Sequence, residues 1–132
     1  MKKIRNRLKF IVEKTDTGFS AYAKNYPIFT TGQTMPELFH NTHEAANLHF
    51  EEDEMTISHA NLNFEIDFKQ FFQHYKVINS KALADKIGMN PTLLSQYVQG
   101  RKKPSHKQTE KILMGIHQIG RELTEINLIF RQ

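Results

Sequence analysis

Residues 80–104, SKALADKIGMNPTLLSQYVQGRKKP, read as two short helices joined by a tight turn. Leu83, Ala84 and Ile87 share one face of the first helix, and the small Ala84 lets a second helix come close. Gly88 stops that helix, since glycine accepts the left-handed conformation of a sharp turn. Asn90 offers a side-chain cap, and Pro91 takes the first helical position, where a missing N–H costs nothing. The second helix divides into two faces, with Leu94, Tyr97 and Val98 on one and Thr92, Ser95, Gln96 and Gln99 on the other. The polar face carries amides and hydroxyls but no carboxylate, and such groups hydrogen-bond to base edges in a DNA major groove. Gly100 then ends the helix, and Arg101, Lys102 and Lys103 follow in the loop, where they can meet backbone phosphates. An αα-hairpin with a solvated polar face is the plainer alternative. The ordered coincidence of caps, turn glycine, polar stripe and basic loop favours DNA.

These residues resemble the Cro/phage-repressor (XRE-type) class of helix-turn-helix domains, over about residues 67–123. The resemblance implies that Ser80 touches phosphate, that Pro91, Thr92, Ser95 and Gln96 face the bases, and that Gln99 with Arg101 grips the backbone; the capping Asn90 and the loop residues Lys102 and Lys103 complete the expected DNA-binding set. Ser80 stands where a glutamine is common in that class, and Val98 where an acidic residue often pairs with a basic one. Pro91 has no side-chain donor, so base readout leans on Thr92 and Gln96.

At 132 residues the chain suits one domain or two small ones, and its 39% hydrophobic content is ordinary for a globular protein. The charge is divided unevenly. Residues 1–66 hold seven Lys/Arg against nine Asp/Glu, a net of −2, whereas residues 67–132 hold eleven against five, a net of +6. The basic surplus lies with the helical pair, as phosphate binding requires. Cysteine is absent, which excludes disulfides and thiolate metal sites and fits a reducing compartment. The basic start Met1 to Arg7 leads into a Leu8 to Val12 run that Lys9 breaks. That run is too short for a signal peptide and no membrane span is visible, so the expected location is the cytoplasm.

The first half reads as a small α+β unit. Lys9 to Glu13 and Phe19 to Ala23 flank the turn Thr15-Asp16-Thr17-Gly18 as a β-hairpin, and a third strand is expected near Ile28 to Thr31. Thr34 and Glu37 have capping-box spacing with Pro36 in the first turn, predicting a helix from about Met35 to Phe50. Leu38, Thr42, Ala45 and His49 would face the sheet. Leu62, Phe64 and Ile66 alternate as a further strand. Asp67 with Gln70 looks like a capping pair opening the second half, so the domains are expected to divide at Ile66.

The string GFSAYAKNYPIFTTGQTMPELFHNTHEAANLHFEE, residues 18–52, resembles the N-terminal domain of HicB antitoxins. The matching elements are Gly18-Phe19, Thr31 to Thr34 and Glu44-Ala45, and the resemblance covers roughly residues 8–66. Tyr26 to Phe29 departs from the usual Pro-Gly-Cys-type loop. The resemblance implies a partial ribonuclease-H-like fold of three to four strands and one packed helix, ahead of an all-α helix-turn-helix domain.

An enzyme is not expected. Ribonuclease-H chemistry needs carboxylates converging on divalent metal, but Asp16 sits in a turn, Glu37 and Glu44 on a helix, and Glu51 to Glu54 in a run typical of a solvated helix end. His40, His43 and Glu44, with His49 beyond, have only generic ligand spacing and read as a polar helix face. Nothing in the pattern calls for a metal or cofactor. Towards the C-terminus, Ile112, Ile116, Ile119, Leu123, Ile126 and Phe130 recur at helix-seam spacing, interrupted by Gly115 and Gly120. Leu123, Ile126 and Phe130 exceed what so small a core can absorb, which suggests pairing with a second copy as a homodimer or tetramer. The resemblances together imply an antitoxin that represses its own operon. Its partners would be double-stranded operator DNA and a small basic HicA-type toxin that cleaves mRNA, with Phe19, Tyr22 and Tyr26 as apolar contacts to the toxin. The alternative is a stand-alone repressor with an N-terminal domain sensing a ligand or partner.

Overall fold

The computed structural model describes residues 2–3 and 7–128 and divides into two compact units, one up to His74 and one from Tyr75. The protein is α+β, with a four-stranded mixed sheet and five α-helices among the described residues.

The first unit contains β1 (Lys2–Lys3), β2 (Leu8–Lys14), β3 (Phe19–Ala23), β4 (Phe29–Gly32), α1 (Met35–Phe50), β5 (Met55–Thr56), a 3-10 turn (His59–Asn61), β6 (Leu62–Ile66) and α2 (Phe68–His74). The main sheet has the order β4-β3-β2-β6; β2, β3 and β4 pair antiparallel and β6 lies parallel to β2. β1 and β5 form a separate short parallel pair. The expected hairpin closes at the Thr15–Gly18 turn, with Thr15 N–H donating to Gly18 O at 2.9 Å. Alternation sends Leu8, Phe10, Val12, Ala21 and Ala23 to one side, where they bury against Leu38, Ala46 and Phe50 of α1.

The Thr34 hydroxyl accepts from Glu37 N–H at 3.2 Å, so α1 begins at the expected cap. Its buried row is Leu38, Thr42, Ala46 and Phe50 rather than the expected Leu38, Thr42, Ala45 and His49. That row follows the i, i+4 ridge, which is inclined to the helix axis and suits a twisted sheet. Thr42 is fully buried and donates its hydroxyl to Leu38 O at 2.7 Å. Gly32 is required because a Cβ there would stand 2.5 Å from Leu38 N, where the edge of the sheet meets the first turn of α1.

The second difference concerns α2. Asp67 does cap it, accepting from Gln70 N–H at 3.1 Å, but the helix belongs to the first unit. Asp67 N–H donates to Val12 O at 3.1 Å, continuing the β2–β6 ladder. The Gln70 amide then accepts from Lys14 N–H at 2.9 Å and donates to Lys14 O at 2.6 Å, so a side chain takes the place of one further strand residue. The units therefore divide after His74 rather than at Ile66.

The second unit contains α3 (Ser80–Ile87), α4 (Pro91–Val98) and α5 (His106–Glu125). Leu83, Ala84, Met89, Leu94, Tyr97 and Ile112 are buried in it. Ala84 has no exposed surface, in keeping with its role as a small contact residue. Gly115, expected to interrupt a seam, is instead the point of closest approach: a Cβ there would overlap Ile87 Cγ2 of α3 and lie 3.4 Å from Leu83 Cδ1. Gly120 faces open space. Lys86 on α3 pairs with Glu122 on α5 at 3.3 Å.

Candidate nucleic-acid interface

Two consecutive helix stops shape the candidate surface. After α3, Gly88 adopts φ 69°, its N–H donates to Asp85 O at 3.4 Å, and Met89 N–H donates to Ala84 O at 2.9 Å. After α4, Gly100 adopts φ 75°, its N–H donates to Tyr97 O at 3.1 Å, and Arg101 N–H donates to Gln96 O at 2.9 Å. Both are Schellman stops, in which a left-handed glycine turns the chain back over the last helical turn and satisfies its free carbonyls. The first aims the chain into α4. The second folds the basic loop onto the end of α4, and Lys102 N–H also donates to Gln96 O at 3.3 Å.

Helix starts are equally local. Asn90 Oδ1 accepts from Thr92 N–H at 2.8 Å, with Pro91 at the first helical position, as the sequence predicts. The cap of α3, however, is Asn79, whose Oδ1 accepts from Ala82 N–H at 3.0 Å. Asn79 stands just before the apolar-periodic run of α3, which is itself a helix-start signal in the sequence. Ser80 is the first residue of α3 and half-buried.

The structure brings most of the expected DNA-facing residues together on α4 and its loop. Asn90, Pro91, Thr92, Gln99, Arg101, Lys102 and Lys103 are exposed, and Ser95 and Gln96 are half-buried. Leu94 and Tyr97 are buried on the other side of α4. Gln99 Nε2 donates to Ser95 Oγ at 3.2 Å, which leaves the Gln99 carbonyl oxygen and the Ser95 hydroxyl hydrogen for other partners. No carboxylate occurs between Lys86 and Thr109, so nothing along this stretch of chain opposes an anion.

The other expected sites are scattered. Phe19 packs on the core beneath the Lys14 ammonium, 5.0 Å from its ring centroid. Tyr22 lies on the opposite face of the sheet, and Tyr26 stacks edge-on against Phe50 at 5.1 Å and His49 at 5.8 Å. The three aromatics therefore do not form one surface. On α5, Leu123 is 60% exposed and Ile126, just beyond the helix, 73%; Phe130 lies outside the described residues. Of the histidines considered as ligands, His40 pairs with Glu44 at 3.4 Å, while His43 donates from Nε2 to Ile57 O at 2.6 Å and stacks on His59. That donor role excludes Asn47, 3.1 Å away, as a partner of the same nitrogen. Among the described residues, no three His or carboxylate groups gather to hold a metal.

Burial, then the charges of Glu13 and Asp67, push the Tyr22 phenol above its ordinary range. No helix among the described residues is long and apolar enough to cross a membrane. Comparison with protein-family models, with curated proteins and with solved structures gave no match.

Proposed function

We propose that this chain is an antitoxin that represses its own operon: a helix-turn-helix domain formed by the second unit binds operator DNA, and a partial ribonuclease-H-like first unit binds and silences a small basic toxin that cleaves mRNA. The observation that carries the reading is the α3–α4 pair, locked by two glycine stops, with a carboxylate-free polar face running into Arg101-Lys102-Lys103. In that reading α4 enters the major groove. Thr92, Ser95 and Gln96 meet base edges, and Ser80, Gln99, Arg101, Lys102 and Lys103 meet phosphates. Asn90 and Pro91 set the start of α4 and its approach to the bases. Leu123, Ile126 and Phe130 pair with a second copy, since a two-fold dimer matches a palindromic operator. The protein works in the cytoplasm without cofactor or metal, and it is not itself an enzyme.

The unequal charge supports a division of labour, with −2 on residues 1–66 and +6 on residues 67–132. Opposite charge hastens encounter with a basic partner, while apolar contacts supply most of the affinity. The test is co-expression of the full chain with the small basic protein encoded beside it, if the gene has such a neighbour. Co-purification with loss of the partner's RNA cleavage supports the antitoxin reading. A chain that binds its upstream DNA but has no such neighbour, or fails to bind it, supports a stand-alone repressor instead.

A further inference from the structure

Strand register aligns three apolar side chains across the sheet. Ile11 on β2 sits opposite Tyr22 on β3, and Tyr22 opposite Phe29 on β4. Their sequence neighbours Phe10, Val12, Ala21 and Ala23 point into the core, so this row lies on the face turned away from α1. Ile11 is half-buried, Tyr22 37% exposed and Phe29 66% exposed. At the β6 side the row ends on Glu65, which faces Ile11 and pairs with Lys9 at 3.1 Å. Glu13 follows Ile11 on the same face of β2.

We infer that the Ile11–Tyr22–Phe29 row is the surface by which the first unit grips a basic protein, face-on and through its aromatic rings. This rests on the antitoxin reading and gives that reading its contact surface, with Phe29 replacing Phe19 and Tyr26. Charge selects the occupant. Glu13 stands beside the row on the same face of β2, and burial first, then the charges of Glu13 and Asp67, raise the pKa of the Tyr22 phenol, so carboxylates flank the exposed rings, the arrangement that attracts Lys and Arg around an apolar centre. A second copy of the same face would bring Glu13 and Asp67 against their own counterparts, which disfavours self-pairing. Strand addition is the other way to use a sheet edge, and β4 is poorly suited to it. β4 has only four residues, and Asn41 Nδ2 already donates to Thr31 O at 2.8 Å.

The experiment measures binding of the full chain to the small basic protein encoded beside it, produced in a form that no longer cleaves RNA. Tyr22→Ser combined with Phe29→Ser is expected to weaken binding by about 100-fold, because aromatic anchors at the centre of an interface carry much of its affinity. Glu13→Lys is expected to slow association and flatten its salt dependence. Leu48→Ser, at a residue 71% exposed on α1, serves as control and should leave binding unchanged. Circular dichroism verifies that each variant is folded, and Glu13→Lys keeps the test open if the double variant is not. If the parent binds and both surface variants bind equally well, the row is not the contact surface and the antitoxin reading stands. If the parent itself does not bind, the antitoxin reading fails and this inference falls with it. A homo-oligomer that dissociates on Tyr22→Ser/Phe29→Ser with partner affinity intact would assign the row to a second copy and overturn the proposal.

Discussion

The same substitution at two glycines of α5 should have opposite effects. Alanine exceeds glycine in helix propensity by about 1 kcal/mol in a helix interior, so Gly→Ala ought to stabilise wherever there is room. At Gly120 a Cβ meets nothing within 4 Å, and Gly120→Ala should stabilise the second unit by up to about 1 kcal/mol. At Gly115 the new methyl would overlap Ile87 Cγ2 and touch Leu83 Cδ1 at 3.4 Å. Ile87 is β-branched and stiff about χ1, so it cannot swing aside cheaply. Overpacking costs typically about 1–3 kcal/mol, and against the propensity gain the net loss should be up to about 2 kcal/mol. For a unit of this size each kcal/mol moves the melting temperature by about 4–8 °C. Hydrogen exchange at the Leu94 amide, bonded to Asn90 O at 3.1 Å in α4, reports this unit directly in the full chain under increasing urea. Protection should rise in Gly120→Ala and fall in Gly115→Ala. Equal stabilisation by both would refute the close α3–α5 approach.

Three further outcomes are expected. Gln70→Ala removes both hydrogen bonds to the Lys14 backbone and should destabilise the first unit by about 1–3 kcal/mol, read as lost exchange protection at Lys14; unchanged protection would mean α2 is held otherwise. Ile126→Asp should lower the oligomeric state in light scattering without changing the helical circular-dichroism signal, because a charge cannot be buried unpaired in an apolar seam. Because the Tyr22 phenol is raised in the folded state, its neutral form favours folding. That contribution is complete below the ordinary tyrosine range near pH 10 and is lost as pH rises through the higher folded value. An NMR titration should show the Tyr22 ring ionising above the ordinary tyrosine range, and at lower pH in Glu13→Gln than in the parent.

Local punctuation made much of this fold legible in the sequence. Gly88, Asn90, Pro91 and Gly100 act on bonds within five residues of themselves, so reading them in order delimits α3 and α4 without knowledge of the rest. The Thr34 cap and the Thr15–Gly18 turn are legible for the same reason. What was not legible depends on distant residues. Gln70 announces a helix start, but its amide bonds Lys14, 56 positions away, and this assigns α2 to the sheet. Gly115 looks like a helix interruption until Ile87 is seen beside it. Phe29 gains meaning only through its register with Tyr22. Composition could nominate Phe19, Tyr22 and Tyr26 together, yet strand alternation sends Phe19 and Tyr22 to opposite faces of the sheet.

Fluorescence anisotropy of the full chain on its own upstream DNA and on a scrambled duplex, over a range of salt, tests whether α4 reads bases while the loop after it holds phosphate. Gln96→Ala should lose about 1–3 kcal/mol on the upstream DNA and almost nothing on the scrambled duplex. Arg101→Ala should weaken binding to both and reduce the salt slope by about one phosphate contact. Equal losses on the two duplexes for Gln96→Ala, or equal affinity of the parent chain for both, would contradict groove reading by α4.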